Sequence, residues 1–140
     1  MKRNELIDRI IAIAEDKDWN VTVEQNCGKS KSLDFDFAQY TDMGQDFSFH
    51  ADMDDYDIHN LIENFNDYYE DYDPDEEAML WVGPDGHGRN GAPYRLSDII
   101  KDMEQAEAMV RELLDTLIDA NKKEQLWDID EEMEENDENI

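Results

Sequence analysis

Residues 32–54 read SLDFDFAQYTDMGQDFSFHADMD, and this stretch decides the fold. Apolar residues alternate with acidic or small ones, first in LDFDF and again in FSFHA. Such alternation is typical of strands that bury one face and leave the other in water. The segment TDMG between the two runs is rich in turn-forming residues. The stretch therefore predicts an antiparallel hairpin with an apolar face and an acidic face.

Two further elements precede this hairpin. In residues 3–16, apolar residues recur at the three-to-four spacing of an amphipathic helix. WNVTVE, at residues 19–24, alternates again and predicts a third strand. A turn at residues 26–30, which includes Gly28, would join this strand to the hairpin. The three strands are close in sequence, which favours a meander.

Helical patterns follow the hairpin. Residues 56–71 place their apolar side chains on one side of a helix. Asp73 and Pro74 predict a short helix, because Asp is a favoured N-cap and Pro is tolerated at the first helical position. We expect this helix to end at Gly83 and to lead into a loop over residues 83–93, which contain four glycines and two prolines.

The last predicted helix covers residues 98–120 and has Ser97 as its cap. From residue 121 onward, few apolar residues stand among many acids, so we expect an acidic, flexible tail over 121–140. Its removal from about Gln125 should leave the fold intact. The prediction is one α+β domain over residues 1–120, in the order α-β-β-β-α-α-α. It has a three-stranded antiparallel meander with helices on one face.

The charge of the chain limits its partners. It has 140 residues, with 39 Asp and Glu against 12 Lys and Arg, and a formal net charge of −27. Such a charge repels nucleic acids and anionic membranes, so we expect direct binding to neither. It favours basic nucleic-acid-binding proteins, polyamines or metal cations. The single Cys27 cannot form an intrachain disulfide, and no signal peptide or membrane span is evident, so we expect a cytoplasmic protein.

The acidic residues are concentrated in one part of the chain. Residues 32–88 contain 17 Asp or Glu and no Lys or Arg. A solvated face usually mixes both signs, because oppositely charged neighbours stabilise helices. We therefore prefer a partner-binding surface to a merely solvated one. Its candidate residues are Asp34, Asp36, Asp46, Asp52, Asp54, Asp55, Glu63, Asp67, Glu70, Asp71, Asp73, Asp75, Glu76 and Glu77.

Other kinds of site fit the sequence less well. Asp71, Asp73 and Asp75 resemble the start of a calcium loop, but Glu76 and Val82 occupy the positions that need glycine and a bidentate acid. The glycine-rich loop lacks the spacing of a phosphate-binding loop, and we interpret it as a structured turn. No nucleophile-and-base arrangement or zinc pattern is evident. We therefore predict no enzyme activity, no metal site and no cofactor.

Residues 32–118 resemble a family of small acidic proteins carried by conjugative elements and phages of gut bacteria. The resemblance rests on LDFDFAQYTDMGQDFSF, on YDPDE at a helix start and on the acidic amphipathic helix near the end. It implies a mobile-element setting, in which small acidic proteins that block host nucleases, such as antirestriction and anti-CRISPR proteins, are common. The likeness to known DNA mimics is one of composition, and the resemblance implies no catalytic residue.

These observations lead to a functional prediction. A row of carboxylates at regular spacing resembles the charges of a nucleic-acid backbone. We predict a nucleic-acid mimic that occupies the basic channel of a host defence nuclease, such as a CRISPR effector or a restriction enzyme, and inhibits it. Two alternatives stay open: an acidic adaptor that binds a basic partner without inhibiting it, and a cation-binding protein.

Overall fold

A computed structural model describes residues 1–26 and 31–130. The elements follow the predicted order, and the predicted α+β fold with a three-stranded meander is confirmed. No helix within these residues is both long enough and apolar enough to cross a bilayer. The elements are α1 (Arg3–Glu15), β1 (Asn20–Gln25), β2 (Ser32–Tyr40), β3 (Asp46–Asp54), α2 (Ile58–Asp71), α3 (Pro74–Met79) and α4 (Leu96–Glu124).

The sheet is an antiparallel meander with β2 in the centre. Its register sets apolar residues side by side, since Phe37 lies opposite Val21 on one side and Phe49 on the other. Successive side chains of a strand point to opposite faces. Most of the apolar residues therefore share one face, and most polar residues, including every Asp and Glu of the three strands, share the other.

The helices cover the apolar face. The Phe65 ring of α2 packs against the rings of Phe37 and Phe49, with centroids 5.6 and 5.0 Å apart. Helix α4 packs against the other three helices. The same core includes Leu6 of α1 and Leu113 of α4, which are both buried. None of the helices in residues 1–26 and 31–130 covers the opposite, polar face of the sheet.

Helix α2 also protects the outer edge of the sheet. Strand β3 is an edge strand, so its outward backbone groups need partners from outside the sheet. The Asp54 N–H donates to the Asn60 side-chain oxygen at 2.7 Å, and the Asn64 side-chain amide donates to the Asp52 carbonyl at 2.8 Å. Two asparagines one helical turn apart thus replace part of a missing strand.

A smaller core lies between α3 and the start of α4, around Ala78, Ile99 and Met103. Here the predicted end of α3 at Gly83 is wrong, because the helix ends at Met79. The chain then turns back on itself, and Val82 forms a β-bridge with Gly88. The predicted N-cap is confirmed, since the Asp73 side chain accepts a hydrogen bond from the Asp75 N–H at 3.0 Å.

Both ends of α4 differ from the prediction. The helix begins at Leu96 with Arg95 as its N-cap, so Ser97 lies inside the first turn. At the other end it continues to Glu124 because its apolar stripe continues through Ala120, and Gln125 then adopts a left-handed conformation (φ 54°).

The segment after α4 packs onto the domain. Leu126 is fully buried in the main core. The N-terminal amine of Met1 donates to the Asp128 carbonyl at 2.8 Å, and the Asp130 N–H donates to the Met1 carbonyl at 2.7 Å. The expectation of a flexible tail is therefore wrong for residues 121–130. The rest of that expectation, residues 131–140, lies outside the described residues, as do residues 27–30 of the first predicted turn.

Candidate acidic binding surface

The uncovered face of the sheet carries a row of three carboxylates. The register places Asp34 of the central strand opposite Glu24 of β1 on one side and Asp52 of β3 on the other. Neighbouring strands lie about 4.8 Å apart, so the row crosses the whole sheet at close spacing. Like charges that face each other across strands destabilise a sheet. We call the outward acidic residues Glu24, Asp34, Asp36, Asp46, Asp52 and Asp54 the acidic sheet face.

One histidine lies among these carboxylates. His50 faces Asp36 in the register, and its Nδ1 is 3.1 Å from an oxygen of Asp34. Its Nε2 is 3.6 Å from an oxygen of Asp36. The outward positions of the three strands include no Lys or Arg, so His50 is the one basic side chain on them. Close ion pairing on the face thus depends on the protonation of this imidazole.

Hydrogen-bond acceptors exceed donors on this face. Within the part of the chain that the structure describes, Oδ1 of Asp34 and Oδ1 of Asp36 are shielded from solvent and accept no hydrogen bond, although Nε2 of His50 lies 3.6 Å from the Asp36 oxygen. A carboxylate oxygen that is taken out of water without a donor costs free energy. Asp54 is better satisfied, because it accepts a hydrogen bond from the Ser32 hydroxyl at 2.6 Å. The centre of the face is therefore its least compensated part.

The remaining strand-associated candidates lie at the margins. Asp46 pairs with Tyr40 in the register, two rows beyond Asp36, so it does not join the central row. Asp55 follows β3 in a left-handed conformation (φ 55°), and its N–H donates to the Lys31 carbonyl at 2.8 Å. The structure thus brings Asp34, Asp36 and Asp52 together and leaves Asp46 and Asp55 at the ends.

The helical candidates lie on a different surface. Glu63, Asp67, Glu70 and Asp71 are exposed on the side of α2 opposite its buried Leu61 and Phe65. Because Leu61 and Phe65 face the core beneath the sheet, these acids point away from it. We call these four residues the α2 acidic row. The predicted set is therefore split between two opposite sides of the protein.

The acids of α3 have a local explanation. Asp73 caps the helix, and Asp75, Glu76 and Glu77 occupy its first turn. Negative side chains in the first turn interact favourably with the helix dipole. Glu77 is partly buried, and this burial, together with the nearby charge of Glu76, raises its pKa. Asp73 and Asp75 therefore help to hold the start of α3 whether or not a partner binds there, whereas the charged form of Glu77 is disfavoured by its surroundings.

Glu24 was missed by the sequence analysis, although a signal for it was present. The alternation in WNVTVE places Asn20, Thr22 and Glu24 on the polar face. What the sequence did not give was the register, which sets Glu24 directly beside Asp34. His50 was also left out, although it lies between Asp34 and Asp36.

Several cations are paired elsewhere on the protein. Arg9 of α1 makes a two-pronged contact with the Glu124 carboxylate, at 2.6 and 2.8 Å. On α4, Arg111 is 3.0 Å from Asp115, and Lys123 is 3.0 Å from Asp119. These pairs lie on the helical side, where α1 and α4 also form a groove of about 580 Å³. These ion pairs do not neutralise the carboxylates of the acidic sheet face.

The described residues contain no group of three or more His, Cys, Asp or Glu side chains placed to hold a metal ion. The glycine-rich loop is held by backbone hydrogen bonds, including one from the Gly83 N–H to the His87 carbonyl at 2.7 Å. No protein-family model, curated protein or solved structure matches the chain.

Proposed function

We propose that this chain is a non-enzymatic inhibitor that binds another protein by mimicking nucleic acid. Its acidic sheet face enters the basic channel with which a host defence nuclease, such as a CRISPR effector or a restriction enzyme, holds its nucleic acid. The observation that carries the proposal is the row formed across the three strands by Glu24, Asp34 and Asp52. Asp36 lies beside this row, and the outward strand positions carry no Lys or Arg.

The energetics of the row support a binding role. Adjacent carboxylates on neighbouring strands repel each other, and one Lys in the row would relieve this repulsion. A basic partner supplies the missing positive charges at binding, so the repulsion in the free protein becomes attraction in the complex. Such complementarity also steers encounter and accelerates association.

The choice of a nuclease channel rests on charge geometry and setting. A nucleic-acid channel is lined by Lys and Arg that neutralise phosphates at regular intervals. The acids of the central strand lie about 6.6 Å apart along the strand and about 4.8 Å apart across strands, so they offer a comparable array. The mobile-element resemblance favours a host nuclease among basic proteins, and such an encounter would occur in the cytoplasm.

The test compares two neutralised variants of equal charge. In the first, Glu24 becomes Gln and Asp34, Asp36 and Asp52 become Asn. In the second, the α2 acidic row is changed in the same way, with two Glu to Gln and two Asp to Asn. Each variant loses four negative charges and keeps nearly the same side-chain volumes. Residues of α4 make a poorer control, because Asp102 is buried and accepts hydrogen bonds from Thr41 and Met43.

Both variants are used in pull-downs from cells with defence nucleases, and the recovered nuclease is assayed for cleavage. We expect the sheet variant to lose binding and inhibition, and the α2 variant to keep both. Equal losses would indicate that net charge alone drives association. Binding without inhibition would favour the adaptor alternative. Association that does not weaken as salt increases would contradict the mimic, because contacts of this kind are screened.

A further inference from the structure

The two edges of the sheet differ in how they are covered. On β3, side chains of α2 hydrogen-bond to the outward backbone groups of Asp52 and Asp54. Strand β1 forms the other edge, and within the part of the chain that the structure describes no fourth strand lies beside it. Its polar side chains are exposed, and Val21 and Val23 are only partly buried. We call the outer side of this strand, with the backbone of these two valines, the β1 edge.

The register shows which backbone groups lie on the β1 edge. In an antiparallel pair, every second residue directs its N–H and C=O to the neighbouring strand, and the residues between direct them away. The Asn26 N–H donates to the first residue of β2 at 2.8 Å, so Thr22 and Glu24 also face β2. The backbone groups of Val21 and Val23 therefore point away from the sheet. Within residues 1–26 and 31–130, these groups have no hydrogen bond from outside the sheet.

The sequence of β1 lacks the usual protections of an exposed edge. Proteins guard such an edge with Lys, Pro, a bulge or a covering segment. Strand β1 reads NVTVEQ, which contains no Lys or Pro, and its valines and threonine favour an extended backbone. It pairs with β2 residue by residue along its whole length, without a bulge. A regular edge of this kind is a template for one more strand.

The side chains next to the β1 edge define what an added strand would carry. On the outward face, the row of Asp52, Asp34 and Glu24 ends at β1. The next position of this row would lie about 4.8 Å from Glu24, where a Lys or Arg would meet a carboxylate. On the other face, the two partly buried valines would gain apolar neighbours. A strand that matches both faces therefore alternates basic and apolar residues.

We propose that the β1 edge binds an extended segment of a partner protein as a fourth strand, and that basic and apolar residues alternate in this segment. The backbone of Val21 and Val23 provides the attachment, and Glu24 selects a basic side chain. The net charge of −27 favours such a segment and disfavours pairing with a second copy of this chain. The proposal goes beyond the nucleic-acid mimic, which requires the acidic sheet face but no strand pairing.

A synthetic peptide tests the proposal on the full chain. The peptide has about seven residues, in which Lys and Val alternate, to match the length of β1. Its control contains the same residues in one Lys block and one Val block, so both peptides carry the same charge. Isothermal titration calorimetry measures their affinities. We expect the block peptide to bind about tenfold or more weakly, because it cannot place its Lys side chains on one face of a strand.

Methylated peptides show whether the backbone makes the contact. A strand bonds to one neighbour through every second residue, so methylation of one alternate set of amide nitrogens blocks pairing with β1 and methylation of the other set does not. We expect N-methylation of either the Val or the Lys residues, but not of both sets, to weaken binding about tenfold or more. Loss with the Val set would indicate an antiparallel added strand, and loss with the Lys set a parallel one.

Two variants of the protein place the peptide on the sheet. Thr22→Lys and Ser48→Lys each add one positive charge at an exposed outward position, the first on β1 and the second on β3. Ser48 would lie about 14 Å from an added strand, beyond the Debye length of about 8 Å at physiological salt. We expect Thr22→Lys to weaken binding about tenfold and Ser48→Lys to change it less than about threefold.

A third variant, Val23→Pro, removes one outward N–H and should weaken binding as Thr22→Lys does, since proline is tolerated where that group faces solvent. Circular dichroism confirms that each variant folds, and Thr22→Lys decides alone if Val23→Pro does not.

Four results would overturn the proposal. The alternating and block peptides could bind equally, or the two methylated peptides could bind equally, and either result would exclude strand pairing. A loss with Ser48→Lys as large as that with Thr22→Lys would reduce the attraction to net charge. A dimer in sedimentation that Val23→Pro dissociates would assign the β1 edge to a second copy. The assay contains no nuclease, so its outcome is independent of the test of inhibition.

Discussion

Leu126 should be one of the residues on which stability depends most, although it follows the last helix. It is fully buried and belongs to the main core. Replacing a buried Leu with Ala removes its burial and leaves a cavity, at a cost of about 2–5 kcal/mol. A domain of this size has a total stability of about 5–15 kcal/mol. At about 4 °C per kcal/mol, Leu126→Ala should lower the melting temperature by roughly 8–20 °C.

Two truncated chains test whether the segment after α4 supplies this stability. A chain that ends at Gln125 loses Leu126, the partly buried Ile129 and the backbone contacts between Met1 and residues 128–130. It should be at least as destabilised as Leu126→Ala. A chain that ends at Asp130 keeps all of these contacts and should melt close to the full-length protein.

Urea unfolding followed by circular dichroism measures both truncations, together with the Leu126→Ala variant. The reasoning would be refuted if the chain ending at Gln125 unfolded at the same urea concentration as the chain ending at Asp130. In that case, the segment after α4 would contribute nothing to the core. The earlier expectation, that the tail can be removed from Gln125, would then be restored.

Three further predictions follow from other parts of the fold. Gly88→Ala should destabilise the protein by about 1–3 kcal/mol, because the added Cβ overlaps with Pro93. Gly86→Ala should cost about 1 kcal/mol, because Gly86 has open space around it but a positive φ. Urea unfolding of the two variants measures the difference. Burial, with Glu77 nearby, raises the pKa of both Tyr72 and Tyr68. These two side chains therefore ionise near pH 10 only in the unfolded chain, and each should lower the stability above that pH by up to about 1.4 kcal/mol per pH unit. A titration followed at the tyrosinate absorbance that shows Tyr72 or Tyr68 ionising near pH 10 in the folded protein would contradict this. Raising salt from about 0.1 to 1 M should increase the melting temperature, because it screens the repelling carboxylates, and a decrease would mean that ion pairs outweigh the repulsion.

The sequence predicted the sheet well because alternation is a local signal. Leu33, Phe35 and Phe37 had to share a face whatever their neighbours were, and the short connections left few alternatives to a meander. Helix ends were harder to predict. Ser97 had the chemistry of a cap, but the helix begins two residues earlier than predicted, at Leu96, and packs Ile99 and Met103 against α3. The burial of Leu126 was not predicted, because Leu126, Trp127 and Ile129 stand among polar residues without a clear helical or strand period.

The candidate surface was predicted only in part, for a related reason. Strand parity showed that Asp34 and Asp36 share a face, but parity does not say which residues lie beside them. The register that adds Glu24 and Asp52 to the row depends on pairing across turns. Grouping the strand acids with those of α2 was a matter of composition. The fold separates them. Helix α2 packs on the apolar face of the sheet and its acids point away from it, whereas the strand acids lie on the other face of the sheet.

The position of the row within the sheet bears on the proposed mimicry. Strand β2 is hydrogen-bonded on both sides, so its backbone is the most constrained of the three. Asp34 and Asp36 stand on this strand, and their spacing is fixed by the pleat and not by flexible loops. A carboxylate array held in this way cannot relax its repulsion by moving apart, as charges on a mobile tail can. The repulsion between the carboxylates in the free protein and their fixed spacing for a partner thus have the same structural origin. Moving an acid from β2 to a loop would reduce the repulsion, but it would also remove the fixed spacing.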